Sequence, residues 1–366
     1  MAHNIHQRDD GTWAAYYAYK PAWHSLGEVG MAELTPRQAF DKVFHRRVIT
    51  TVPAYAKIGK RFVEVADTRF TADEKAGIIF APVGADYPPI SDLTVLNLLY
   101  AVTKSSRKRA AIASVFMLGN GARASATLDL TKLLGEKALT VLRDKSAMEA
   151  WLVADWAHDG KGALSFLPAT NRVDCNNMLT AARGAAEAKG KLVRIIHAGS
   201  EQTIADQLHE AERILGFASS EIKASVKLLN QLAEIALPKP DKWWAEFSEV
   251  LIPAPTADEG GKRMTLNRDQ TRELLTTLWQ SSKTLVGVPK SPYRAVQVVA
   301  EYGDNLRPLR IASGPDNARV AAERRFRSAI EGPSAELKAR ALELIRQEFE
   351  IGVKVPVARQ AVASAN

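Results

Sequence analysis

Lysines and arginines in the first half of the chain are the side chains whose types and spacing point most clearly to a ligand. Residues 1–200 carry 26 Lys and Arg against 19 Asp and Glu, whereas residues 201–366 carry 23 against 22. A local surplus of cations attracts polyanions such as DNA and RNA, although such charges can also simply keep a surface soluble. The predicted nucleic-acid contacts are Arg46, Arg47, Lys60, Arg61, Lys104, Arg107, Lys108, Arg109, Arg123, Lys161 and Arg172.

Trp156 is the aromatic candidate for the same surface. A protein that holds a single strand combines cations on the phosphates with rings on which the bases stack. Trp151 and Trp156 lie five residues apart in one predicted strand, so they point to opposite faces and only one can lie in a core. Trp156 is therefore predicted to stack on a base or to contact another subunit.

Residue patterns for enzymatic chemistry are absent from the sequence. The nearest approach to a phosphate-binding loop, residues 184–192, has five residues between its glycines instead of four and ends in leucine. The histidines show neither the HExxH spacing nor a zinc-type pairing with cysteine. Cys175 is predicted to be structural rather than a nucleophile activated by His158. We therefore predict no catalytic residue, no metal and no cofactor.

A metal-dependent nuclease is the enzymatic alternative. Such an enzyme needs carboxylates that converge on Mg²⁺. The acidic residues of the first half match no metal-binding spacing, and turns and helix caps are the favoured roles for them. The residues concerned are Asp67, Asp73, Glu74, Asp155, Asp159 and Asp174.

The overall composition is that of a globular protein without a membrane segment. The 366 residues are 46% hydrophobic and 25% charged, and no apolar run approaches the roughly 18 residues that cross a bilayer. The first ten residues lack the apolar stretch of a secretory signal. One cysteine cannot form an internal disulfide, which fits a reducing compartment. The expected location is the cytoplasm.

Hairpin signals are the clearest local features of residues 1–200, which are predicted to form a basic α+β core that binds nucleic acid. Asn120-Gly121 separates runs 111–118 and 122–130 and predicts a type I′ turn, in which both residues have positive φ. Asp159-Gly160 separates runs 150–157 and 162–167 in the same way. The other predicted elements are a helix that begins after Thr35, strands at 61–69 and 77–81, and helices at 91–103 and 176–187.

Helical periodicity replaces these signals after residue 200. Residues 201–352 are predicted to be a helical region and residues 353–366 a flexible tail. Asn267 with Gln270 predicts a capping box, and Ser291 before Pro292 predicts a helix start. Residues 238–262 contain four prolines and are predicted to be irregular. The predicted helices are 201–215, 220–236, 268–284, 292–303, 316–330 and 334–349.

Four segments together resemble one protein family. The first five residues and the run Pro21-Ala-Trp-His-Ser-Leu-Gly27 are similar to its N-terminal W-H-x-L-G signature. The runs Asp155-Trp-Ala-His-Asp-Gly160 and Arg172-Val-Asp-Cys-Asn-Asn177 resemble its central H-D-G and R-V-V-C-x-N-T core, from which Asp174 and Met178 depart. Residues 293–307 and 321–345 resemble its helical C-terminus. The chain thus resembles the phage/plasmid-like family, catalogued as a domain of unknown function.

The setting of that family implies phage or plasmid DNA metabolism in the cytoplasm of a bacterial host cell. Its strand-hairpin-helix core with a basic surface is also similar to single-strand annealing proteins, which form rings or filaments and pair complementary strands without ATP. The resemblance therefore implies a homo-oligomer that binds and anneals single-stranded DNA in recombination. The alternative is a phage interaction protein that blocks a host defence or regulates replication, and such a protein need not bind DNA.

Overall fold

The described strands all lie between residues 15 and 195, and helices form most of the chain that is described from residue 204 onward. The computed structural model describes residues 5–19, 26–107, 111–135, 139–141, 146–160, 164–172, 178–179, 193–195, 204–253, 262–308, 328 and 332–351. Within these ranges the predicted α+β class, with a strand-rich N-terminal half and a helical C-terminal half, is confirmed.

The strands belong to two sheets. In chain order they are β1 (Ala15–Ala18), β2 (Glu28–Gly30), β3 (Ile49–Ile58), β4 (Arg61–Asp73), β5 (Ile78–Gly84), β6 (Ala111–Leu118), β7 (Arg123–Asp129), β8 (Thr140–Val141), β9 (Ser146–Ala157), β10 (Leu164–Arg172), β11 (Met178–Leu179) and β12 (Val193–Ile195). The larger sheet has the order β11-β10-β9-β7-β6-β1-β2, and β12 also pairs with β10 and β8 with β9. Of these pairs, only β1 with β2 is parallel.

The smaller sheet consists of β3, β4 and β5, in that order and antiparallel. Strand β4 pairs with β5 only from Thr68 to Asp73, whereas its residues Arg61 to Glu64 pair with β3 alone. An irregularity in register between Pro53 and Tyr55 separates the two parts. We call residues 55–67, the two-stranded outer part of this hairpin, the arm.

One helix precedes the smaller sheet in the chain and one follows it. Helix α1 (Pro36–Lys42) begins as predicted, because Thr35 and Gln38 form a capping box before and within its first turn. Helix α2 (Asp92–Ser105) buries Val95, Leu99 and Val102 in the main core. That core also contains side chains of β6, β7 and β9, so α2 packs on the larger sheet.

The remaining helices add to the same core. They are α3 (Thr131–Leu134), α4 (Ile204–Glu234), α5 (Pro240–Leu251), α6 (Lys262–Ser281), α7 (Pro292–Glu301) and α8 (Pro333–Glu348), with a 3₁₀ turn at Lys283–Leu285 and a π-helical turn at Tyr302–Leu306. Helix α4 contacts both α2 and β10. One apolar cluster therefore runs from Ala14 to Ile345. The predicted division near residue 200 falls at 196–203, outside the described residues, and stays a prediction.

The first hairpin is confirmed, but its predicted turn is wrong. Leu118 lies opposite Arg123, so the loop has four residues instead of two. The residues with positive φ are Gly119 (62°) and Gly121 (88°), and Asn120 is not one of them. The Asn120 side chain instead accepts a hydrogen bond from the Ala122 backbone N–H, a local bond that favours this longer loop. The pairing of the second hairpin, β9 with β10, is also confirmed.

Three predictions for the helical half are wrong. Residues 201–215 and 220–236 do not form two helices, because the apolar period continues through Ala218 and Ile222 in the single helix α4. The region predicted to be irregular contains α5, in which Pro240 occupies the first turn, where a missing N–H costs nothing. Helix α6 begins at Lys262, so Asn267 lies within it and is not a cap.

Other predicted elements have mixed outcomes. Five of these predictions are confirmed within a few residues: the strands at 61–69 and 77–81, the helices at 91–103 and 334–349, and the helix start at Ser291. Met178 and Leu179, predicted to be helical, pair as a strand with β10. Four predictions lie wholly or mostly outside the described residues: the rest of the helix at 176–187, most of the helix at 316–330, Cys175 and the tail.

Candidate nucleic-acid interface

The arm is exposed along its whole length. All of its residues from Tyr55 to Asp67 are exposed. The reason is topological, because β5 ends opposite Thr68 and the arm has no third strand beside it among the described residues. A two-stranded ribbon of this kind presents both of its faces to solvent.

The two faces of the arm differ in chemistry. Tyr55 lies opposite Glu64, and Lys57 lies opposite Phe62. Because opposite residues share a face and side chains alternate along a strand, these four form one face, which we call the aromatic face. The other, which we call the aliphatic face, carries Ala56, Ile58, Arg61 and Val63.

The aromatic face offers two adjacent rings. Tyr55 is 57% exposed and Phe62 is 72% exposed. The two are diagonal neighbours across the strand pair, at a spacing of roughly 7–8 Å that leaves their side chains within reach of each other. Lys57 lies beside them on the same face. Exposed rings next to a cation are the elements with which proteins hold single-stranded nucleic acid.

The tip of the arm carries two of the predicted contacts. Ile58 lies opposite Arg61, so Gly59 and Lys60 form a two-residue loop. Gly59 has a φ of 62°, the conformation that a type II′ turn requires at its first position and that glycine adopts without strain. Lys60 and Arg61 are therefore held at the exposed end, with Lys57 close behind them.

A buried ion pair lies where the smaller sheet begins. Arg47, two residues before β3, donates from Nε and Nη2 to Asp92 at the start of α2, at 2.7 and 3.0 Å. Its Nη1 donates to the Gly121 carbonyl in the β6–β7 loop at 2.6 Å. Arg47 is buried, so its prediction as a nucleic-acid contact is corrected. Each of the three nitrogens of its guanidinium donates to a partner within the chain.

Trp156 and His158 complete this buried cluster. Trp156 is fully buried, and its indole N–H donates to Asp92 Oδ1 at 2.8 Å. The prediction that it stacks on a base is therefore wrong. Strand β9 points Trp156 inward against Phe44. Of the two tryptophans in this strand, Trp156 is therefore the one in the core, and Trp151 is less buried. His158 Nε2 donates to the same oxygen of Asp92 at 2.9 Å.

Asp92 is the centre of the cluster. Its carboxylate accepts bonds from Arg47, Trp156 and His158 while having no exposure to solvent. Burial alone would raise the pKa of Asp92, but the charge of Arg47 and the contacts with His158 outweigh burial and lower that pKa far below its ordinary value. We conclude that Asp92 is ionised throughout the physiological range and that it binds three separate parts of the chain together.

The run His158-Asp159-Gly160 also attaches the smaller sheet to the larger one. The ring of Phe80 in β5 stacks on His158 with 6.2 Å between centroids. Gly160 has a φ of 69°, and a Cβ there would come within 2.8 Å of the Val83 side chain. The histidine thus supplies a buried bond and a ring contact, and the glycine permits close approach. Together they hold β5, and with it the arm, against the end of β9.

Most of the other predicted contacts that the structure describes have partners within the chain. Arg46 is exposed and paired with Asp41 at 2.7 Å, a bond that lowers the pKa of Asp41. Arg123 is largely buried and bonds Asp155 at 2.8 Å. Lys104 lies 4.9 Å from the centre of the Tyr100 ring. Arg107, exposed at the end of α2 with a φ of 54°, is roughly 20 Å along the helix axis from Asp92.

The remaining predicted contacts cannot be placed. Lys108, Arg109 and Lys161 lie outside the described residues. The backbone of Arg172 pairs with Met148 in the larger sheet, and its side chain is not described. The structure therefore brings Lys60 and Arg61 together at the tip of the arm and places Lys104 and Arg107 on a separate helix end.

Sequence analysis missed Tyr55, Lys57 and Phe62. A strand was predicted only from Arg61 onward, so the hairpin around Gly59-Lys60 was not recognised. A signal was present, because Gly followed by one residue between two alternating apolar runs is typical of a type II′ turn. With that turn in place, the strand period would have put Tyr55 and Phe62 on one face.

Two classes of site were searched for in the described ranges. No helix there is long and apolar enough to cross a membrane. No group of three or more His, Cys, Asp or Glu side chains in those ranges could hold a metal ion. Of the acidic residues considered for a nuclease, only Asp174 lies outside the ranges searched.

Comparison with known proteins gives one match. The model of a family described as "Domain of unknown function (DUF932)" matches residues 80–329, which include α2, most of the larger sheet and the buried cluster apart from Arg47. The arm lies before the matched segment. No curated protein and no solved structure matches the chain.

Proposed function

We propose that this chain, which belongs to the DUF932 family, binds single-stranded DNA without ATP and anneals complementary strands as a homo-oligomer in phage or plasmid DNA recombination. The observation that carries the proposal is the aromatic face of the arm. It combines two exposed rings, Tyr55 and Phe62, with Lys57 on the same face and Lys60 at the tip. The cation surplus of residues 1–200 supports the same ligand class.

The exposed rings favour a single strand over a duplex. A base stacks on a side chain through its flat face, and in a duplex those faces are covered by neighbouring base pairs. Stacking also leaves the hydrogen-bonding edge of each base free, which an annealing protein needs so that a second strand can pair. Cations that hold the phosphates supply affinity without reading the sequence.

The small size of the arm supports the proposal of a homo-oligomer. Two rings and a few cations hold only a short stretch of a strand, so each grip is weak. Several copies on one strand raise the effective concentration of every grip, and the combined affinity rises without any new kind of contact. This proposal also rests on the resemblance to annealing proteins set out above.

The test is the double substitution Tyr55→Ala with Phe62→Ala, measured by fluorescence polarisation on a labelled oligonucleotide. Each lost stacking contact is expected to cost about 1–3 kcal/mol, a five- to 150-fold loss of affinity per ring. Annealing of complementary oligonucleotides without ATP should fall in parallel. The matched control is Tyr19→Ala, which removes another exposed ring, 60% exposed and outside the arm, and should leave both measurements unchanged.

Two outcomes would contradict the proposal. If the wild-type chain does not shift single-stranded DNA, the interaction-protein alternative takes its place. If labelled DNA is lost only when Mg²⁺ is added, the nuclease alternative does. Unchanged affinity in a folded Tyr55→Ala, Phe62→Ala variant would move the DNA contacts away from the arm.

A further inference from the structure

The aliphatic face of the arm is not accounted for by a nucleic acid. Ile58 is 66% exposed and Val63 is 46% exposed. Aliphatic side chains have no ring on which a base can stack, and Arg61 is the only charged side chain among the paired residues of this face. Clustered exposed aliphatic groups mark a surface that another protein covers.

No other described part of the chain packs on the side chains of the aliphatic face. A two-stranded hairpin without a third strand or a packed layer is only marginally stable in water. The arm has neither, since β5 ends opposite Thr68. A partner that packs on the aliphatic face would supply the missing layer and leave the aromatic face open.

The charges of the arm change sign along its length. Lys60 and Arg61 lie at the tip, whereas Asp67 lies exposed at the inner end, beyond the regular pairing of Arg61–Glu64 with β3 and with a φ of 57°. The strand between Arg61 and Asp67 spans at most about 20 Å at the usual rise per residue. When two such arms lie antiparallel across a two-fold axis, the tip of each reaches the inner end of the other. Arg61 then meets Asp67 at both ends at once.

We propose that the aliphatic face packs against the same face of a second copy of this chain, antiparallel across a two-fold axis. A two-fold interface must be self-complementary, and the arm meets that condition with apolar side chains in the middle and opposite charges at its ends. Each copy keeps Tyr55, Lys57 and Phe62 exposed, so the pair holds two separate stacking surfaces. The inference rests on the homo-oligomer of the proposed function but does not require that DNA binds.

The first test is the double substitution Ile58→Glu with Val63→Glu in the full chain. Self-association of the protein alone is measured by sedimentation velocity over a micromolar concentration series. We expect the variant to associate more than about tenfold more weakly than the wild type, because each substitution acts twice in a two-fold interface and replaces buried apolar surface by charge. The matched control is Ile79→Glu, an aliphatic side chain 58% exposed on β5 and outside the arm, which should associate like the wild type.

The second test separates a second copy from any other partner. Arg61→Asp alone and Asp67→Lys alone should each weaken self-association, because like charges then face each other across the interface. The double variant Arg61→Asp, Asp67→Lys should recover it, since the exchanged charges attract again. Circular dichroism of each variant shows whether the fold is retained. Two folded single variants that associate normally, or a double variant that is weaker than both, overturn the proposal.

The outcomes for assembly and for DNA are distinguishable. A wild-type chain that remains monomeric throughout the concentration series but binds the oligonucleotide overturns the pairing of arms and leaves DNA binding intact. A chain that associates through Ile58 and Val63 and does not bind the oligonucleotide confirms the interface and overturns the DNA-binding proposal.

Discussion

The substitution Asp92→Asn tests whether the buried cluster holds the two sheets together. In the wild type, the carboxylate has no exposure to solvent and accepts from Arg47 at 2.7 and 3.0 Å, from Trp156 at 2.8 Å and from His158 at 2.9 Å. An asparagine keeps one acceptor oxygen, but its NH₂ group then faces a donor of Arg47. The guanidinium stays buried without a counter-charge. Removing one partner of a buried ion pair costs about 3–5 kcal/mol, a large part of the 5–15 kcal/mol that typically stabilises a domain.

The assay is urea unfolding followed by tryptophan fluorescence and by far-ultraviolet circular dichroism. We expect the midpoint for Asp92→Asn to fall by roughly 1–5 M, which is the loss of about 3–5 kcal/mol divided by a slope of about 1–3 kcal/mol per molar urea. The control is Asp41→Asn, which also removes an arginine-paired aspartate, but a partly exposed one at the surface, and should leave the midpoint nearly unchanged. A variant at Asp92 that unfolds at the wild-type midpoint would refute the reasoning.

The pH dependence supplies an independent check on the same cluster. The pKa of Asp92 is lower in the folded chain than in the unfolded one, so its contribution to stability is complete above the unfolded pKa of about 4 and declines as the pH falls below that value. The difference in unfolding free energy between wild type and Asp92→Asn should therefore be constant between pH 5 and 7 and should narrow in more acidic solution. If the difference in unfolding free energy instead widened on acidification, the pKa of Asp92 would not be lowered by folding.

Three further predictions follow from individual side chains. Trp156→Phe should lower the free energy of unfolding by about 1.5–3 kcal/mol, because it removes a bond to a charged acceptor, and should leave DNA affinity unchanged in polarisation assays, whereas a base-stacking role would weaken binding. Replacing Arg107, Lys108 and Arg109 with Glu should weaken DNA binding without changing sequence preference. The slope of log K against log salt should flatten by about 0.7 per lost phosphate contact. Unchanged affinity and slope would exclude these three residues as DNA contacts. Cys175→Ser should retain oligonucleotide binding and annealing at a modest cost in thermal stability, and loss of both activities in a folded variant would show that the thiol is functional.

Features that depend on neighbouring residues were predictable from the sequence. The start of α1 follows from Thr35, Pro36 and Gln38, which are adjacent and cap the helix by themselves. The hairpins β6–β7 and β9–β10 follow from strand periods and turn residues. The type I′ turn at Asn120-Gly121 was wrong because that pair of residues also suits a longer loop, in which Asn120 bonds Ala122.

Features that depend on distant residues were not predictable in this way. Arg47 looks like Arg46 in the sequence, yet one is buried and the other exposed, because Arg47 reaches Asp92, 45 residues away. The charge pattern cannot show such a partner. Helix α5 was missed because Pro238 and Pro240 suggested an irregular segment, whereas the buried Trp244, Phe247 and Leu251 recur at helical spacing. Burial overrode the local signal there.

The bonds of the buried cluster also bear on the order in which the chain folds. The hairpin β3–β4 closes through neighbouring residues and can form within about 1–10 μs. The bonds that anchor it join residues 45, 66 and 74 positions apart, and contacts of such separation form late because their loops must close first. The arm can therefore form transiently before it is attached, and its aliphatic residues are then exposed on the nascent chain. Substitutions in the cluster should accordingly accelerate unfolding far more than they slow folding.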